Sequence, residues 1–90
     1  MAAIHLIIKG KVQGVFFRVS AKKKADLFGV TGWVQNTKEG DVEIVAQGTE
    51  QQIKQFVEWC KQGPSRARVE NVLTADAEEQ PLKEFKIMHK

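Results

Sequence analysis

Residues 30–47, VTGWVQNTKEGDVEIVAQ, decide how this chain folds. The runs VTGWVQN and DVEIVAQ read as two strands, and the polar link TKEG between them carries Gly40, so the segment is an antiparallel hairpin. What flanks the hairpin sets the topology. Upstream, Phe17, Ala21, Ala25 and Phe28 recur at helical spacing, Lys22, Lys23 and Lys24 fall mostly outside that stripe, and Gly29 supplies a stop. This predicts a first helix over about 18–28. Before it, residues 4–9 alternate, with Ile4, Leu6 and Ile8 on one face and His5, Ile7 and Lys9 on the other, as in a half-buried strand. Downstream, Thr49 and Gln52 form a T-x-x-Q capping box, Ile53, Phe56, Val57 and Cys60 form an apolar stripe, and Gly63-Pro64 end a second helix. ARVENVLTA follows as a strand, DAEEQPL as a polar connection and EFKIM as a short final strand.

The order is therefore strand, helix, strand, strand, helix, strand, with a short fifth strand at the end. Each half is a split β-α-β unit, and the hairpin joins them. The natural arrangement is an α+β, ferredoxin-like βαββαβ sandwich: an antiparallel sheet with both helices on one face. Residues 1–90 read as a single domain, without internal repeat, linker or low-complexity segment. Such a fold hosts many unrelated functions, so the function has to come from a site.

Composition narrows the partners. Hydrophobic residues at 42 % and charged residues at 28 % are ordinary for a soluble globular protein and exclude disorder. A net charge of +3 favours anions mildly, short of the clustered basicity of a dedicated nucleic-acid binder. The ferredoxin-like RNA-recognition modules stack bases on strand aromatics, and DVEIVAQ has none, so no nucleic-acid partner is expected. Cys60 is the only cysteine, which excludes an internal disulfide and a thiolate metal cluster and fits a reducing cytoplasm. IHLIIKG is too short for a signal-peptide core or a membrane span, so no membrane association is expected. Monomer is the default for so small a domain.

The loop before the first helix, GKVQGVFFR over residues 10–18, concentrates two glycines, two phenylalanines and an arginine. An arginine in the first turn opposes the helix macrodipole, which is unfavourable by roughly 0.3 to 1 kcal/mol unless an anion offsets it. Helix N-termini present unpaired amides, and Gly10 and Gly14 let the backbone bend around a ligand such as phosphate. By composition alone a second account stands beside this one: Gly14 makes a turn, one phenylalanine enters the core, and Arg18 points to water. The loop is not a Walker motif, since it lacks G-K-[S/T] and the four-residue spacer.

GKVQGVFFR, followed by GVTGWVQNTKEGDVEIVAQG and GPSRARVENV, resembles the acylphosphatase family over nearly the whole chain. The first segment fits the family signature G-x-V-Q-G-V-x-F-R, and the second fits G-W-V-x-N with an acidic-glycine turn. The resemblance implies an enzyme that hydrolyses acyl phosphates to carboxylate and inorganic phosphate. It further implies that the backbone around Gln13, Gly14, Val15, Phe16, Phe17 and Arg18 cradles the phosphate, that Arg18 binds it, and that Asn36 positions the attacking water. No cofactor and no metal are implied. Two departures are visible: Glu39 stands where the turn usually has aspartate, and the chain ends in FKIMHK, without the customary final tyrosine.

The implied chemistry suits so few groups. An acyl phosphate expels a carboxylate whose conjugate acid has a pKa of about 4, so no general acid is needed. The requirements are in-line positioning and stabilisation of phosphoryl charge, and Arg18 offers a planar fork matched to phosphate oxygens. Asn36 can hold a water without adding charge beside the anion, although an asparagine entering a hairpin often serves only the turn. His5 and His89 have no partner at metal-ligand spacing and read as structural or solvated; Cys60 reads as a core residue and AKKKAD as a solvated helix face.

Overall fold

The structure of the protein, a computed structural model, describes residues 1–89. Seven elements follow one another: β1 (Ala2–Lys11), α1 (Phe17–Phe28), β2 (Thr31–Asn36), β3 (Val42–Gly48), α2 (Glu50–Gln62), β4 (Arg68–Asp76) and β5 (Phe85–Ile87). The strands form one sheet in the order β4-β1-β3-β2-β5. The first four pair antiparallel, as the split β-α-β reading expects, with Leu6 opposite Ile44 on one side and Thr74 on the other. The fifth strand pairs parallel to β2, placing Phe85 beside Gly32 and Ile87 beside Val34, so the whole sheet is mixed.

The core lies between the sheet and the two helices. Leu6, Ile8, Val34, Val42, Ile44 and Ala46 are fully buried, and Phe17, Ala21 and Ala25 from α1 and Ile53, Phe56 and Cys60 from α2 complete the layer. Burial pushes the Cys60 thiol far above its ordinary pKa, which keeps it protonated and inert, as a small core residue should be. Phe56 links the layers, with its ring 5.6 Å from that of Phe85 and 6.2 Å from that of Trp59. Trp59 in turn lies 5.4 Å from the ring of Phe17, so α2 braces the first residue of α1. Gly63 is part of this brace, because a Cβ there would come within 3.0 Å of the Phe17 ring.

The predicted caps are present. Thr49 accepts from the Gln52 amide at 3.1 Å while the Gln52 side chain accepts from the Thr49 amide at 2.9 Å. Gly29 ends α1 in the left-handed conformation, after which Val30 N–H returns to Ala25 O at 2.8 Å. Among the described residues no helix is long and apolar enough to cross a membrane. The final residue, Lys90, lies outside the described residues, so the chain end without its expected tyrosine is followed only as far as His89.

Candidate active site

A cleft of about 260 Å³ opens where β1 passes into α1, beside the ends of β2 and β5. Val12, Gly14, Phe16, Phe17, Arg18, Val19, Asn36, Ile87 and His89 line it. Three separate segments of chain, residues 12–19, Asn36 and residues 87–89, thus meet at one place.

The loop owes its shape to its residues. Val12 and Val15 are buried and pin the segment to the core. The Gln13 amide donates to Thr37 O and Asp41 O, both at 2.8 Å, and so ties the loop to the β2–β3 turn. That turn is closed by Thr37 N–H to Asp41 O at 2.9 Å and by Asp41 N–H to Thr37 Oγ1 at 3.1 Å. Gln13 therefore fixes the distance between the loop and Asn36, which ends β2 one residue before Thr37. Gly14 has a φ of 74° with nothing near its Cβ position, so backbone conformation rather than crowding requires glycine. Gly10 differs: a Cβ there would lie 2.1 Å from Arg68 O, and its role is close approach to β4 at a register shift, away from the cleft.

Phe16 holds the N-cap position of α1 in the left-handed region, with a φ of 64°, the one non-glycine residue with positive φ among those described. A bulky residue there is strained by about 1–3 kcal/mol, a state that surrounding structure must enforce. Its ring is 67 % exposed at the cleft mouth, whereas the neighbouring Phe17 is buried. Phe16 has no side-chain acceptor, and the first turn of α1 carries no acidic residue. The leading amides of α1 consequently receive no cap from their own chain, in contrast to the closed capping box of α2. Arg18 lies in this uncapped turn, so positive charge and unpaired donors point at the same space.

Asn36 Oδ1 is buried and has no hydrogen-bond partner among the described residues. An unpaired buried acceptor costs about 1–3 kcal/mol, and in native proteins it calls for an explanation, such as a ligand or an ordered water. The turn-residue account of Asn36 finds no support here, because the turn is held by Thr37, Asp41 and Gln13. The side chain projects to the cleft instead.

Of the residues that the sequence assigns to the site, Gly14, Phe16, Phe17, Arg18 and Asn36 line one cleft. Gln13 and Val15 do not line it; the Gln13 side chain ties the loop to the β2–β3 turn, and Val15 is buried. His89 is exposed, in keeping with the expectation of a solvated histidine, and in addition it lines the cleft with Nδ1 3.5 Å from Arg18 Nη1. Seventy-one residues separate that pair in sequence, and no local pattern announces it. His5 lies on the helix-free sheet face, 2.8 Å from Glu43. Among the described residues no group of three His, Cys, Asp or Glu side chains is placed to hold a metal ion.

Comparison with known proteins gives a consistent picture. The family model described as acylphosphatase matches residues 4–87. An acylphosphatase of Bordetella parapertussis is 45 % identical over 86 residues, 94 % of this chain and 92 % of the relative. One of Marinobacter nauticus is 53 % identical over 68 residues, 76 % of this chain and 74 % of the relative. Among solved structures, an acylphosphatase from Coxiella burnetii superposes with a TM-score of 0.93 at 42 % identity, covering 97 % of this chain and 92 % of that one.

Proposed function

We propose how this chain, which belongs to the acylphosphatase family and is a hydrolase of acyl phosphates, carries out its reaction. Loop residues 13–18 bind the phosphoryl group, with Arg18 as the side-chain ligand, and Asn36 orients the attacking water. One observation above all supports this reading: the partnerless buried Oδ1 of Asn36 shares a cleft with Arg18 and the uncapped start of α1.

The phosphoryl oxygens accept from the backbone amides of the loop and from the Arg18 fork, which meets two oxygens at once. Water donates one hydrogen bond to Asn36 Oδ1 and turns a lone pair toward phosphorus, opposite the acyl oxygen. The new P–O bond forms as the bond to the acyl oxygen breaks, and the electron pair of that bond leaves with the carboxylate. The leaving group needs no proton, and both protons of the water end on the phosphate product, so the charge of −2 on the substrate becomes −1 on each product. Cationic and amide donors placed around the phosphoryl oxygens stabilise charge in the transition state, the dominant contribution in this class of reaction. The step engages no metal. The apolar walls given by Phe16, Val19 and Ile87 suit an acyl group without dictating its identity. We take residues 1–90 to act as one monomeric unit in the cytoplasm, with small acyl phosphates and inorganic phosphate as ligands.

The test is hydrolysis of an aryl acyl phosphate with and without a chelator. Turnover that persists in the chelator, with inorganic phosphate as a competitive inhibitor, is the expected result. Loss of turnover in the chelator would refute the metal-free step, and non-competitive inhibition would refute the shared phosphate site.

A further inference from the structure

Two ionisable side chains line the cleft, Arg18 and His89, and no carboxylate accompanies them among the described residues. His89 arrives there through β5: Met88 N–H donates to Val34 O at 2.8 Å, which continues the parallel pairing with β2 and brings the next residue over the start of α1. A guanidinium has donors only, so the 3.5 Å approach of Arg18 Nη1 makes His89 Nδ1 the acceptor and puts the ring proton on Nε2. At that distance the bond is weak, and the ring is exposed. Such a pair is stable while the imidazole is neutral and becomes a clash of two cations when it is protonated, unless an anion lies between them.

We infer that His89 is a second side-chain ligand of the substrate phosphate, gaining a proton as the anion enters and donating from Nδ1 to one phosphoryl oxygen while Arg18 holds others. This rests on the reading of Arg18 as the phosphate binder. The charges around the ring allow it. On α1, Lys22 stands one turn beyond Arg18 and is engaged by Phe85 O at 2.9 Å and Asp26 at 3.2 Å. The loop from Val12 to Phe16 has no ionisable side chain, β2 contributes the uncharged Asn36, and Lys86 of β5 lines a different cleft. Among the described residues, Arg18 is the charged side chain that the structure places against His89.

Sulfate tests this, because it keeps both negative charges from about pH 5.5 to about 8.5, the span across which imidazole ordinarily titrates. Its dissociation constant is measured over that range for the native chain, His89→Gln and Arg18→Ala, with circular dichroism as the check on folding. Native affinity is expected to rise about tenfold toward low pH, in keeping with one added charge-assisted hydrogen bond, while His89→Gln stays within about twofold throughout. An equal pH slope in His89→Gln overturns the inference. So does unchanged sulfate affinity with a reduced kcat, which would assign His89 to the water instead. Sulfate binding that ignores Arg18→Ala would sink the underlying phosphate-grip reading, a separate result from a flat His89 comparison.

Discussion

In the role proposed for it, Arg18 binds through shape as well as charge, and that distinction can be tested at one side chain. Arg18→Lys keeps the cation and loses the rigid fork, so kcat/KM is expected to fall by about 10²-fold or more with the circular dichroism spectrum unchanged. The role proposed for Asn36 separates chemistry from binding. Asn36→Ala should lower kcat by about 10² to 10³ while the inhibition constant of phosphate stays within about twofold. Because its Oδ1 is an unpaired buried acceptor, the same substitution should leave thermal stability unchanged or slightly higher; marked unfolding would mean that the side chain serves the turn after all. Asn36→Asp places a negative charge near the phosphate and should be as slow as alanine or slower, whereas substantial recovery over alanine would make this residue a general base. That Arg18 and Asn36 share a cleft was legible through the family resemblance, since Arg18 ends the signature G-x-V-Q-G-V-x-F-R and Asn36 ends G-W-V-x-N. The contacts that Gln13 and His89 make were not legible. The partners of Gln13 lie 24 and 28 residues away, and Arg18 lies 71 from His89, so only tertiary structure brings them together.

At the scale of elements, the two helices begin in opposite ways, and the difference divides stability from function. The α2 box is ordinary capping, readable from T-x-x-Q, and Thr49→Ala is expected to lower unfolding free energy by about 1 kcal/mol with kcat unchanged. The α1 start could not be read so fully, because nothing in VFFR indicates that phenylalanine will take a left-handed conformation which strongly favours glycine. Phe16→Gly relieves strain of about 1–3 kcal/mol but frees the unfolded chain at a cost of about 0.5–1 kcal/mol, so stability should hold or rise by up to about 2 kcal/mol. Phe16→Val keeps the strain and adds β-branching, and should destabilise by about 1–2 kcal/mol. Denaturant midpoints decide the matter; equal losses in both variants would mean that the exposed Phe16 ring, rather than its backbone, contributes the stability.

At the scale of the whole molecule, the fifth strand matters because it carries Ile87 and His89 to the cleft. Four antiparallel strands followed from the alternation and the hairpin, but the parallel pairing of β5 did not, since three residues carry too little pattern to name a partner. The crossing decides it. Residues 77–84 run from β4 at one edge to β5 at the other, past the ends of β1 and β3. Ala77 N–H donates to Ala3 O at 3.1 Å, and the buried Gln47 then donates to Gln80 O and accepts from Gln80 N–H, both at 2.8 Å. One amide side chain thus imitates a strand neighbour and fastens the crossing. Gln47→Ala removes both bonds and should lower stability by about 1–3 kcal/mol. Gln47→Glu is the sharper test, because a carboxylate can accept from Gln80 N–H but faces Gln80 O without a donor. When protonated, the substituted carboxyl regains that donor, so its pKa should be higher in the folded than in the unfolded chain. By linkage, the variant should approach native stability below the ordinary glutamate range, about pH 4, and lose it as pH rises through the folded-state value. The stability of the native chain, compared at each pH, serves as the baseline. A stability difference between the two proteins that does not change with pH would show that Gln80 O is satisfied by water, and that Gln47 is not what fastens the crossing.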